Sequence, residues 1–278
     1  MIKNILVPVD FSKPAENALK VAVQLAKKND AKITVLHVIE LAESLFGTEQ
    51  FNVDDEQILF FMKVAKKKFD KFLQKDYLEG VDFIDVVDVG PASYVISENI
   101  EKQNADLVLM GSTGASGLQE VLIGSNTEKI VRRSEVPVLV VKKEMKEFAI
   151  KNVIFASNFE MESIEAFKKA KVFADSFDAK MELLYVNLPG NQFYSTEEIR
   201  EQMRSFLNEV QVPFSRDHII IHNDYTIELG VLNAAKDAKS DLIAMPTHGR
   251  RGLSHFFNGS IGEDVVNHST LPVITFKI

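Results

Sequence analysis

The sequence predicts an α/β fold of two tandem domains, each a five-stranded parallel open sheet with helices on both faces. Three observations carry this. First, 278 residues correspond to roughly two domains of about 150 residues each. Second, the chain repeats itself. Lys3-Asn4-Ile5-Leu6-Val7-Pro8-Val9-Asp10-Phe11-Ser12 returns as Lys151-Asn152-Val153-Ile154-Phe155-Ala156-Ser157-Asn158-Phe159-Glu160, and the segment from Asp106 to Lys142 returns as Asp241 to Lys277. Third, short β-rich runs alternate with apolar residues at helical spacing, in the order βαβαβαβαβ within each copy. Parallel strands joined by crossover helices produce that order.

In the first copy the strands are expected at Ile2–Val9, Ile33–Ile39, Phe83–Val89, Leu107–Met110 and Val138–Lys142. Between the first two, Ala15, Ala18, Leu19, Ala22, Leu25 and Ala26 mark one helix face, with Ser12 placed to cap it and Pro14 in its first turn. A second helix carries Ile58, Leu59, Met62, Ala65, Phe69, Phe72 and Leu73 on one face. Asp54, Asp55 and Glu56 open it and lysines follow, which suits the helix dipole. Tyr94–Gln103 and Ser125–Ser134 supply two more helices. The second copy repeats the strands at Lys151–Ser157, Met181–Asn187, Asp217–Asn223, Asp241–Met245 and Pro272–Lys277. It is about 13 residues shorter, the difference falling where the first copy has the polar stretch Leu41 to Asp55. The charged junction Lys142 to Phe148 puts the boundary between residues 1–146 and 147–278.

Composition narrows the function classes. Apolar residues make up 46% and charged residues 26%, which is globular and not disordered. The absence of cysteine excludes disulfides, thiolate metal sites and a cysteine nucleophile. A net charge of −8, negative in both copies, argues against nucleic acid or an anionic membrane surface as partner. No apolar run approaches the roughly 20 residues of a bilayer span, and the N-terminus reads as a strand, so a cytoplasmic protein is expected.

Ligands of open α/β sheets sit beyond the carboxyl ends of the strands. The first strand ends in Pro8-Val9-Asp10-Phe11-Ser12. The fourth ends in Met110-Gly111-Ser112-Thr113-Gly114-Ala115-Ser116-Gly117, and Gly124-Ser125-Asn126-Thr127 then opens a helix. Glycines permit close backbone approach, and a Gly-Ser pair at a helix N-terminus offers amides, a hydroxyl and a positive dipole end to an anion. Gly111, Gly114, Gly124 and Ser125 thus read as a phosphate cradle, with Asp10 open to a hydrogen bond from a base or sugar. The plainer reading is that these glycines only make turns.

Two other phosphate motifs are absent: there is no G-x-x-x-x-G-K-[ST], and the glycine loop follows the fourth strand, not the first as a dinucleotide fingerprint requires. Five of the six histidines (His218, His222, His248, His255 and His268) fall in the second copy. His218 and His222 lie about 13 Å apart on a strand, too far for one ion, and no metal site is expected. His37 is expected to pack at the pocket rim, and Lys63 to Lys75 to form a solvated helix face.

At these residues the sequence resembles the universal stress protein family, in its tandem-domain form. The family's signature G-x2-G-x9-G-[ST] is matched by Gly111, Gly114, Gly124 and Ser125, and the strands Val7-Pro8-Val9-Asp10, Leu36-His37-Val38 and Pro137-Val138-Leu139-Val140-Val141 also resemble it. The resemblance implies a HUP-like fold and an adenine nucleotide ligand (ATP, ADP or AMP), with Mg²⁺ as an optional companion on the phosphates. Asp10 and the backbone near Val38 would contact adenine, with Pro8 and Val9 shaping that end. Met110, Gly111 and Gly114 would line the ribose and phosphate side, and Gly124, Ser125 and the Asn126 amide would hold phosphates. Asn126 and Ala115 stand where the family often has an apolar and a basic residue.

The second copy departs further, with Asn158 in place of Asp10 and Pro246 in place of Gly111. It keeps Gly249, Gly259 and Ser260, so a degenerate half is expected. The closing strands would form apolar edges that must be covered, and the resemblance implies that they pair as an intrachain pseudo-dimer, leaving a homodimer of whole chains open. The implied function is nucleotide-responsive stress regulation without catalytic residues and at most weak hydrolysis. A slow ATPase or phosphotransferase using Asp10 or Ser125, or an interaction module that binds no nucleotide, are the alternatives.

Overall fold

The computed structural model describes residues 2–40, 55–112, 123–211, 218–247 and 260–278. The first half runs β1 (Asn4–Pro8), α1 (Lys13–Asn29), β2 (Lys32–Ile39), α2 (Asp55–Leu73), β3 (Phe83–Val89), α3 (Ala92–Lys102), β4 (Leu107–Gly111), α4 (Ser125–Arg133), β5 (Val138–Val141). The second runs β6 (Asn152–Ala156), α5 (Ile164–Asp175), β7 (Lys180–Asn187), α6 (Thr196–Val210), β8 (Ile219–Asn223), α7 (Ile227–Asp237), β9 (Leu242–Thr247), α8 (Ser260–His268), β10 (Val273–Lys277).

These strands form one continuous sheet in the order β3-β2-β1-β4-β5-β10-β9-β6-β7-β8. Within each half the pairing is parallel. At the centre β5 and β10 run antiparallel, with Val138 opposite Thr275 and Val140 opposite Val273. Each closing strand thereby covers the other's open edge, and both are buried on both faces. Two cores fill the faces, and each spans both halves. On one side Ile5, Val7, Leu139, Phe155 and Ile274 meet α1, α5 and α6. On the other Leu6, Val108, Val140, Ile154 and Val273 meet α3, α4, α7 and α8.

Local chemistry repeats with the sequence. Asp106 Oδ2 accepts the backbone N–H groups of Lys3 and Asn4 at 2.8 and 2.9 Å, and Asp241 Oδ2 accepts those of Lys151 and Asn152 at 2.9 Å each. Ser12 caps α1 by accepting from Ala15 N, with proline in the first turn. Ser195 and Glu198 form a capping box on α6.

One expectation needs correction, and two local features stand out beside it. Leu59 does not join the buried face of α2. It is 54% exposed beside exposed Phe60, Phe61 and Val64, while Phe69 carries the buried contact. The charged junction is anchored: Phe148 and Ile150 are buried, and Phe148 N–H donates to Gln24 Oε1 at 2.6 Å. Helix α5 starts at Ile164 after a 3₁₀ turn at Met161–Ser163, whereas α1 starts at Lys13, the counterpart of Met161. Asp54 and the stretch Leu41 to Val53 lie outside the described residues.

Candidate functional site

The strand order reverses between β1 and β4, where a crevice opens at the carboxyl ends. A cavity of about 340 Å³ lies there, within the size range of small-molecule sites. The strand ends supply Pro8, Val9, Asp10, Leu36, Val38, Met110 and Gly111; α3 supplies Ala92 and Ile96; the α4 terminus supplies Gly124, Ser125, Asn126 and Thr127. The structure therefore brings together every predicted site residue except Gly114, which, like Ala115, lies outside the described residues.

The α4 end has the makings of an anion cradle. Gly124 occupies the N-cap in extended backbone and provides no side-chain cap, so the amides of the first helical turn have no intrahelical acceptor. Thr127 Oγ1 donates to the Gly111 carbonyl at 3.1 Å, and Gly124 N–H donates to the Ser112 carbonyl at 2.9 Å. These two bonds lock the start of α4 to the end of β4. Gly111 is glycine for a packing reason: a Cβ there would lie 2.5 Å from the Pro14 carbonyl carbon in α1.

At the other end, the β1–β2 ladder stops in a way that frees backbone. Val9 N–H donates to the Leu36 carbonyl at 2.7 Å, but the Val9 carbonyl lies 2.8 Å from His37 Nδ1. The carbonyl can only accept, so Nδ1 carries the proton of that bond. Val38 lies one rung beyond Leu36 on the same side of β2, and among the described residues it makes no ladder bond toward β1. Burial, against the opposing Val9 bond, holds the His37 pKa below its ordinary value. His37 stacks 4.2 Å from Phe11, whose φ of 65° turns the chain sharply out of β1. Lys68 sits over the same ring, and the α2 lysines are exposed.

Asp10 is not wholly open to a ligand. Its Oδ1 accepts Ser12 N–H at 3.0 Å, which fixes the turn. Sequence reasoning missed Glu40, Ala92 and Ile96 on the cavity wall. Glu40 Oε1 accepts Ala92 N–H at 3.0 Å, capping α3, whose N-cap Pro91 has no side-chain acceptor. Its position immediately after the second strand was the available signal.

In the second half, several described counterparts of the cavity lining are buried or differ in type. Asn158, in the place of Asp10, is 2% exposed, and its carbonyl accepts from Gln202 Nε2 at 2.8 Å. Leu188 replaces Glu40 and is buried. Pro246 stands where Gly111 approaches α1, and the helix opposite begins one turn later. Asn158 Nδ2 and Thr247 Oγ1 are buried without a partner among the described residues. Gly249 and Gly259 lie outside the described residues, as do His248 and His255. His222 faces Asp224 at 3.6 Å and His268 Nδ1 lies 2.5 Å from Glu228. Among the described residues no three acidic or histidine side chains form a metal cluster, and no helix is long and apolar enough to cross a membrane.

A model of the Universal stress protein family matches residues 1–142 and, a second time, residues 149–277. Universal stress protein MJ0531 of Methanocaldococcus jannaschii is 31% identical over 156 residues, covering 53% of this chain and 86% of the relative. Universal stress protein MJ0577 of the same organism is 35% identical over 159 residues, covering 52% and 97%. The crystal structure of a universal stress protein from Archaeoglobus fulgidus DSM 4304 shares the fold, with TM-score 0.75 and 23% identity over 99% of this chain and 98% of its own.

Proposed function

The chain belongs to the universal stress protein family through both halves, and from that premise we propose that residues 1–146 bind one adenine nucleotide while residues 147–278 are a degenerate counterpart. The observation that carries the reading is the glycine-capped start of α4 facing the same cavity as the ends of β1, β2 and β4. A helix N-terminus with no side-chain cap leaves its amides and dipole for an anion. The β1-facing backbone of Val38 and Asp10 would receive the base, and Pro8 and Val9 would shape that end. Met110 and Gly111 would flank the ribose, with Gly124, Ser125 and the Asn126 amide on phosphate. Gly124 has φ −62°, which any residue adopts, and in this reading its missing side chain would keep the space over the cradle clear. Mg²⁺ enters this reading only as a companion of the phosphates.

The proposed role is nucleotide-dependent regulation in the cytoplasm, with little or no turnover. Denaturing fresh protein and chromatographing the released small molecules tests occupancy, and following ADP after ATP addition tests turnover. Adenine nucleotide released without sustained ADP production supports the reading. Steady turnover abolished by Asp10→Ala or Ser125→Ala would replace it with an ATPase, and neither co-purified nor titratable nucleotide would refute it.

A further inference from the structure

The start of α4 is held by the other half of the chain. Asn267, in the last turn of α8, accepts the Ile123 backbone N–H on its Oδ1 at 2.8 Å, across 144 residues of sequence. Ile123 is buried and immediately precedes the Gly124 cap. Helix α8 is itself tied to the first half. Lys142, just after β5, donates from Nζ to the carbonyls of Val266 and Asn267 at 2.5 and 3.2 Å, a cation placed where the helix dipole favours one. Arg132 of α4 meets Glu263 of α8 at 3.4 Å. The Ile123 and Gly124 amides are thus both engaged, one by Asn267 and one by Ser112, and the following amides of α4 are presented from a fixed step.

We propose that Asn267 is a positioning residue for the first-half cradle: the last turn of α8 sets the Ile123–Gly124 step from which phosphate-facing amides are presented. The second half then serves the site as a bracket, although its own glycine motif has changed. This inference rests on the nucleotide reading above. A buried amide left without its acceptor must find water or shift, and either movement carries Gly124 with it. The loss would appear as reduced affinity through poorer preorganisation, not as a lost ligand contact.

The test uses the full chain, ATP titration calorimetry, and amide exchange at Ile123 read by NMR. Asn267→Leu removes the acceptor; Asn267→Asp keeps an acceptor oxygen; Asn267→Ser, too short to reach, replaces the leucine variant if that does not fold. Expected are faster Ile123 exchange and about tenfold weaker ATP binding in the leucine or serine variant (about 1.4 kcal/mol), with the aspartate variant restoring slow exchange and most of the affinity. Weakening of threefold or more with faster exchange supports the bracket. A smaller change in affinity, or unchanged exchange at Ile123, overturns it. Wild-type protein that binds no ATP instead refutes the nucleotide reading itself.

Discussion

Replacing Gly111 by alanine separates a packing glycine from a merely permissive one. The added Cβ would stand 2.5 Å from the Pro14 carbonyl carbon, 2.6 Å from its oxygen and 2.8 Å from its Cβ. Two of these are backbone atoms in the first turn of α1, so no side chain can swing aside. Helix α1 or strand β4 must move, and both are buried against one core. Overpacking costs about 1–3 kcal/mol, and an obstacle made of backbone places the expected cost near the top, about 3 kcal/mol. At roughly 2–4 °C per kcal/mol for chains of this order, the melting temperature should fall by about 6–12 °C. Gly80→Ala is the control: its φ is +75° and nothing lies within 4 Å of a Cβ there, so only left-handed strain of about 1–2 kcal/mol applies. Thermal unfolding by circular dichroism compares the two. A Gly111→Ala protein melting within about 2 °C of wild type would refute the packing argument.

Further expectations concern the duplicated anchors and two titrating groups. Asp106→Ala and Asp241→Ala each remove an acceptor of two backbone N–H bonds and should each lower stability by about 2 kcal/mol, read from urea midpoints; losses under about 0.5 kcal/mol would contradict the bonds' importance. Burial lowers the His37 pKa, so the unfolded chain binds the proton more readily and stability should fall as pH drops below about 6.5. A His37→Gln variant should show a flatter stability profile between about pH 7 and 5, and an unchanged profile would count against this. Burial also pulls Lys142 from 10.5 down to about 8. The folded chain then releases its proton first, so stability should rise from pH 8 toward 10.5, and Lys142→Met should remove that rise.

Much of the fold was legible because the repeat and the apolar periods agree. The β3 strand has the predicted bounds, Phe83–Val89, since Asp82 and Gly90 punctuate it. The β1 strand is shorter than Ile2–Val9, because ladder pairing with β2 runs only from Asn4 to Pro8 and the Val9 carbonyl turns to His37. The α2 pattern misplaced Leu59: a helix rich in apolar residues offers more than one plausible face, and only packing chooses. The predicted site residues that are described meet in one cavity, because strand ends converge where the order reverses. Asp10's bond to Ser12 was not legible, since it depends on the left-handed turn at Phe11. Nor was the link from Asn267 to Ile123, which joins residues that no local pattern relates.

Titration calorimetry of ATP into the full chain, beside Gly124→Val, tests the central claim most directly. The account predicts one nucleotide per chain for the wild type and loss of that binding in the variant, because a branched side chain would stand over amides that Gly124 leaves uncovered. Absence of binding to the wild type, or equal binding to Gly124→Val, would contradict it.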